Sequence, residues 1–424
     1  MREVAVIGAG VAGIQAALDI ANHQVHVHLI EREPSIGGHM AQLDKTFPTN
    51  DCSMCILSPK MVEVARHPWI TLHTCTEVTS IEGAVGDFSV TLQTSPRYVD
   101  PDLCNGCGDC EQICPVEVYN RFDAGIGVRK AIYKQHAQVV PNIMIKDAEH
   151  CIECGLCYDV CGRNAVLREQ SPVETTIHVA SVVITTGYQV FDPTKKAQYG
   201  YGLVPDVITS LELERMINAG GPTRGEVRRI SNGQTPRSIV FIQCVGSRDL
   251  QVNRPYCSCV CCMAAIKNAM LIREKHPEIE VAICYMDIRA YGKGYQEFYQ
   301  RAQDLGVRFV RGMPGAVIDS TGPMELQVED TLSGELLQIH PDLVVLSVGI
   351  EPASDPAVVA ARFGLTCEES GFLEGANAAM NTVGTVRPGI YIAGTATAPK
   401  DIPDCVTQGQ AAAMRAYTDA IRVN

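Results

Sequence analysis

The sequence is poor in several things, and each shortage excludes something. It has one tryptophan, 6% aromatic residues and only 20% charged residues. No Lys/Arg cluster stands out, and 35 basic against 48 acidic residues leave a net charge of −13. A nucleic-acid partner is therefore not expected, and docking faces on protein partners should be basic. No apolar run reaches the length needed to span a bilayer. The opening residues 1–10 read as a buried strand and not as a secretory leader. What the chain does have is length, 424 residues, and a 46% hydrophobic content, enough for two or three domains with large cores. It also has 19 cysteines, in short-spaced groups. In a chain this large, that grouping points to metal ligation in a reducing compartment, with the cytoplasm as the expected location, and not to a disulfide scaffold.

The first motif is a dinucleotide turn. A strand at 2–7 leads into Gly8-x-Gly10-x-x-Gly13, a helix from Ile14 to about Asn22 follows, and a strand at 25–30 ends at Glu31. Gly8 permits the tight turn, Gly10 lets the backbone approach a pyrophosphate, and Gly13 lets the helix pack close to the sheet. Glu31 can accept a hydrogen bond from a ribose hydroxyl and would repel a 2′-phosphate. Gly37-Gly38 resembles the second glycine pair of flavoprotein disulfide reductases, so FAD is expected over NAD. The strand at 389–393 followed by Gly394 resembles the stretch that meets the flavin in that class. There the family carries Asp after the glycine; this chain has Thr395, and Asp401 or Asp404 is the expected substitute.

The second motif is Cys104-x2-Cys107-x2-Cys110-x3-Cys114-Pro115, echoed by Cys151-x2-Cys154-x2-Cys157-x3-Cys161. This is the bacterial two-cluster ferredoxin spacing, in which the fourth cysteine of each run serves the other cluster. One [4Fe–4S] cluster would take Cys104, Cys107, Cys110 and Cys161; the other would take Cys151, Cys154, Cys157 and Cys114. Zinc sites built from CxxC pairs do not need the third and fourth cysteines at these offsets. Composition shifts at about residue 95 and again at about 172, so the module reads as an insertion into an α/β domain.

A second α/β unit follows, with strands at 238–243, 281–286 and 343–348 and a helix at 262–275; a helix at 411–421 closes the chain. Where its first strand should lead into a nicotinamide-binding glycine turn it leads instead into Gln243-Cys244-Val245-Gly246-Ser247-Arg248. Nearby stand Cys257, Cys261 and Cys262, with Cys259 among them. From spacing alone, these are either cluster ligands or buried thiols.

Residues 46–57, Tyr256 to Cys262 and Pro399 to Asp404 together resemble HdrA, the iron–sulfur flavoprotein component of heterodisulfide reductase, and the resemblance covers nearly the whole chain. It implies an α/β, two-dinucleotide-domain flavoprotein of thioredoxin-reductase type with an inserted ferredoxin module. The FAD domain would comprise 1–95, its continuation with a linker 173–235, and 351–424, the insertion 96–172, and the second dinucleotide-like domain 236–350. It implies FAD and three [4Fe–4S] clusters, the third a non-standard one on Cys244, Cys257, Cys261 and Cys262. It also implies a flavin-proximal Lys267, where a cation would stabilise anionic reduced flavin. Cys52 and Cys55 would donate to a fourth cluster completed elsewhere, or stay as thiols. The implied activity is that of a component of an oxidoreductase complex, routing and in its strongest form bifurcating electrons. The implied partners are heterodisulfide-reductase-type thiol subunits, ferredoxin, and hydrogenase or dehydrogenase subunits in an oligomeric assembly. The methanogen form has an extra N-terminal domain and a C-terminal ferredoxin module that this sequence is expected to lack. Its length is similar instead to QmoA, of the quinone-interacting membrane-bound oxidoreductase, a non-bifurcating relay. An autonomous NAD(P)H-dependent reductase is the remaining alternative, and the missing second glycine turn argues against it.

Overall fold

A computed structural model describes residues 3–318 and 323–422; Arg2, expected in the first strand, lies outside them. The chain divides into two compact units. One comprises residues 1–41, 54–188 and 352–424; the other comprises 42–53 and 189–351.

The first unit is built on a parallel five-stranded sheet. Its order is Ile390–Ile392, Ser181–Ile184, Glu3–Ile7, His26–Ile30, Ile70–His73. The strands are near-continuous apolar runs because both faces are covered, as parallel sheets require. On one face the helix Val11–Ala21 packs against the C-terminal helix Ile402–Arg422 through Ala16, Ala17, Ala412, Ala413 and Ala416. The other face is closed by an antiparallel sheet of Thr76–Ala84, Asp87–Thr94 and Val173–Val179, with Phe88, Val90 and Leu92 in the core. The cysteine-rich insertion leaves this scaffold at the end of one antiparallel strand and returns at the start of its neighbour. Strand and first-helix positions follow the sequence expectation. The last helix does not: it begins at Ile402, not near 411. Pro403 in its first turn is no obstacle, because the N–H that proline lacks has no intrahelical acceptor there.

The second unit repeats the theme, with strand order Val207–Thr209, Leu343–Val348, Ser238–Val245, Glu280–Tyr285, Arg308–Arg311, all parallel. The helices Ser210–Ile217 and Cys261–Lys275 pack on this sheet. Thr209 and Glu212 form a reciprocal capping box that fixes the start of the shorter helix. This division departs from the expected domain boundaries in two places. Residues 42–53 join the second unit, and that unit begins at 189, well before 236.

Candidate functional site

The nucleotide turn is shaped by contacts that only glycine allows. Gly8 has φ +98°, and a Cβ there would lie 2.4 Å from the Thr185 carbonyl oxygen. A Cβ on Gly13 would lie 1.9 Å from the Gly8 oxygen, so this glycine is demanded by the fold itself. Gly10 differs: a Cβ there meets nothing within 4 Å. That open space above a helix N-terminus is what a close-approaching pyrophosphate needs. Thr185 Oγ1 donates to the Gly8 oxygen at 2.7 Å and ties the turn to the neighbouring strand. Gly38 approaches Gly10, and the Gly37 N–H donates to the Ala9 oxygen at 2.8 Å. The two glycine segments thus form one surface.

Glu31 is buried, and its Oε2 accepts the Ala9 N–H at 2.8 Å. Burial raises its pKa, partly offset by N–H donors from Glu33 and Ala9. The carboxylate therefore braces the turn. At the far end of the sheet Gly394, with φ +71°, donates to Gln408 Oε1 at 2.9 Å, and its carbonyl accepts from Lys400 Nζ at 2.7 Å. Asp401 Oδ1 accepts the Asp404 N–H at 3.0 Å, a helix-capping bond. Burial raises the pKa of Asp404. Asp401 thus has a structural duty that explains why the helix begins where it does.

The insertion folds around its thiols. Cys110 and Cys157, each in a one-turn helix (Asp109–Ile113 and Leu156–Val160), are buried in a small core with Val99, Ile132, Met144 and Ala165. Cys114, Cys151, Cys154 and Cys157 line one cavity together with Ile132, Ile152 and Leu156. Burial pushes the Cys110 thiol up to about 12, and Cys104, Cys107 and Cys161 act on it in the same direction as neighbouring thiolates. The structure therefore gathers the eight cysteines in the two crosswise sets of four. Four thiols forced together are mutually repulsive when ionised, and a bound cation removes that repulsion. The donor set is the one an iron–sulfur cubane uses.

The third set is assembled at the end of the strand Ser238–Val245. The register against Leu343–Val348 slips between Ile242 and Val245, and Cys244 sits in this bulge at φ +58°. Bulges re-aim side chains; this one turns Cys244 toward the other three cysteines. Gly246 follows with the Phe191 ring against it, where a Cβ would be 2.1 Å from the ring. A phenyl ring thus occupies the space over this second-unit turn.

Two buried serines join the turn to the cysteine loop. Ser258 N donates to Ser247 Oγ at 2.9 Å, and Ser258 Oγ accepts the Ile350 N–H at 2.9 Å. Cys261 and Cys262 open the helix Cys261–Lys275 and donate to the carbonyls of Val348 (3.6 Å) and Asp287 (3.7 Å). Burial pushes Cys244 up to about 12, with Cys262 adding to the shift. Burial also holds Cys261 well above its ordinary value, and there Cys244 adds to it. Cys257 goes the other way, lowered to about 6, chiefly by a hydrogen bond from Cys259, with Arg289 and Arg248 contributing. The structure brings together all four expected residues.

Lys267 is fully buried in the same helix. Its Nζ donates to the Lys45 carbonyl at 2.9 Å and forms an ion pair with Glu214. Glu214, Lys45 and the arginines Arg248 and Arg289 were not legible as site residues. Glu214 sits 53 positions from Lys267 in an ordinary capped helix, and no motif marks it. Cys52 and Cys55 are disulfide-bonded, which departs from the expectation that they serve a fourth cluster. In that state their sulfurs have no thiolate to give a metal.

Residues 103–166 match a 4Fe-4S dicluster domain family, and residues 6–62 match an NAD(P)-binding Rossmann-like domain family. The HdrA iron-sulfur protein of the CoB--CoM heterodisulfide reductase of Methanocaldococcus jannaschii is 52% identical over 411 residues, 96% of this chain. Its counterpart in the H(2)/formate:CoB-CoM heterodisulfide,ferredoxin reductase of Methanococcus maripaludis is 53% identical over 96% of the chain. The chain is homologous to HdrA. It spans 63% and 62% of the lengths of these two proteins. Among solved structures, the thioredoxin reductase of T. acidophilum superposes with a TM-score of 0.54 at 15% identity, covering 99% of this chain and all of that one. The fold is therefore thioredoxin-reductase-like, with an inserted 4Fe-4S dicluster module. For this HdrA homologue, iron–sulfur and flavin cofactors are supported. Among the described residues no helix is long and apolar enough to cross a membrane.

Proposed function

We propose that this chain is the FAD and iron–sulfur electron-transfer component of a heterodisulfide-reductase-type oxidoreductase. The observation that carries the proposal is the pairing of one nucleotide cradle with three gathered sets of four cysteines. The flavin accepts or donates two electrons, and cubanes carry electrons singly. Gly8, Gly10, Gly13, Gly37 and Gly38 would hold the FAD pyrophosphate and Glu31 a ribose hydroxyl. Gly394 and the Asp401/Asp404 turn would serve the flavin end. Cys104, Cys107, Cys110 and Cys161 would hold one cluster, Cys114, Cys151, Cys154 and Cys157 the second, and Cys244, Cys257, Cys261 and Cys262 the third.

The bulge, the cysteines and Phe191 stand where a nicotinamide-binding turn would be, which argues against a free-standing NAD(P)H reductase. Electrons would instead be exchanged with partner subunits, the thiol-reducing subunits and ferredoxin being the first candidates. The test is iron and flavin per chain on anaerobically purified protein. Three cubanes at four irons each give about 12 Fe beside one FAD. A value of about 8 Fe removes the third cluster from the proposal, and absence of FAD removes its centre.

A further inference from the structure

The rim of the third cysteine set carries charges that neither the spacing nor the relatives assign. Asp287 is attached to the set through its backbone, since its carbonyl accepts from Cys262 Sγ. Its carboxylate holds two guanidiniums by the same oxygen: Arg248 Nη1 at 2.8 Å and Arg289 Nε at 3.3 Å. Arg248 is tied to both arms of the set. It lies four residues after Cys244, and its N–H donates at 2.8 Å to the carbonyl of Tyr256, the neighbour of Cys257. The Arg248 side chain is one-quarter exposed and that of Arg289 45% exposed, so Arg248 is the less hydrated of the two. Two cations against one anion leave this edge with a net positive charge, in a chain of net charge −13.

We infer that Arg248 and Arg289, braced on Asp287, raise the reduction potential of the cluster held by Cys244, Cys257, Cys261 and Cys262. The inference rests on the reading of those cysteines as cluster ligands. Reduction adds one negative charge to a cubane already ligated by four thiolates, and a fixed cation stabilises that added charge more than the oxidised state. The contacts that hold Arg248, Arg289 and Asp287 are to this set of cysteines, so this is the potential they are expected to shift. Two arginines are suited to this work because guanidinium stays charged at every accessible pH and is held by the carboxylate in a fixed geometry. They act through the cluster and are positioning residues, not groups that touch a substrate.

The test is a potentiometric titration followed by electron paramagnetic resonance, with the third cluster assigned as the signal lost in Cys262→Ser. Arg248→Gln and Arg289→Gln should each move only that midpoint to more negative values, the double variant further than either. Arg248→Lys and Arg289→Lys should keep most of the wild-type value, and iron should stay at about 12 per chain. Asp287→Asn should move the same midpoint positive, because it removes the anion that offsets the two guanidiniums. An unmoved midpoint with about 12 Fe retained overturns the inference and leaves the cluster assignment standing. Iron of about 8 in the unmodified protein overturns both. If a glutamine variant loses iron, Asp287→Asn decides, and an unmoved midpoint there overturns the inference.

Discussion

Lys267 and Glu214 form an ion pair whose side chains are only 2% and 4% exposed. The other Glu214 oxygen accepts the Asp44 N–H at 3.1 Å, and the ammonium also donates to the Lys45 carbonyl. One buried pair thus holds the segment 42–53 against two helices of its unit. It also keeps the ammonium of Lys267 oriented from two sides, by a carboxylate and by a backbone carbonyl.

Breaking this pair from one side leaves the other charge buried without compensation. Glu214→Gln should destabilise the protein by about 3–5 kcal/mol, and Glu214→Leu combined with Lys267→Met by less than either single change. Denaturant titration of the second unit's unfolding checks this. A double variant destabilised by the sum of the two single changes would show that the pair is not coupled.

The glycines of the nucleotide turn should separate by role. Gly13→Ala forces a Cβ to 1.9 Å from the Gly8 oxygen and should lower the melting temperature of flavin-free protein. Gly10→Ala meets open space, so it should leave that melting temperature alone and reduce FAD retention instead. Melting curves of flavin-free protein beside flavin content after gel filtration distinguish the two.

Crosswise ligation makes a specific statement about which cysteines share a spectrum. Cys161→Ser should perturb the same signal as Cys110→Ser, and Cys114→Ser the same signal as Cys157→Ser. Each change should remove up to about 4 Fe. Grouping by sequence run, with Cys114 behaving like Cys110, would refute the crosswise arrangement.

His73 should make the first unit sensitive to acid. It hydrogen-bonds His28 at 3.0 Å, and burial, with the charges of His28 and His26 adding, pushes its pKa from 6.5 down to about 4. The unfolded chain takes up a proton near pH 6.5 while the folded one resists until about 4. Stability is therefore complete above the unfolded value and is lost as pH falls through this window, by at most about 1.4 kcal/mol per pH unit. His73→Gln should flatten the dependence, as measured by unfolding at a series of pH values between these limits.

The parts of the site that read directly from the sequence are those confined to one short stretch of chain. The Gly8–Gly13 turn is legible because a strand, three glycines and an acid at fixed offsets encode one local geometry. The eight ferredoxin cysteines are legible because loops this short can wrap only one kind of cluster. The start of the last helix was not legible in the sequence, because the Asp401 carboxylate capping the Asp404 N–H is what makes a first turn of the residues around Pro403. The disulfide of Cys52 and Cys55 was not read because a C-x-x-C spacing serves a metal site and a disulfide equally well.

Local spacing by itself determined the nucleotide turn, the eightfold cysteine pattern and the loss of a second glycine turn, because each depends on residues within reach of one another along the chain. Only the tertiary structure decided what stands around them. Glu214 reaches Lys267 across 53 residues, and Asp287 meets Arg248 across 39, because neighbouring strands and helices bring them together. A charge pair is indifferent to sequence distance. It requires only that the fold carry two side chains to one place and remove the water between them.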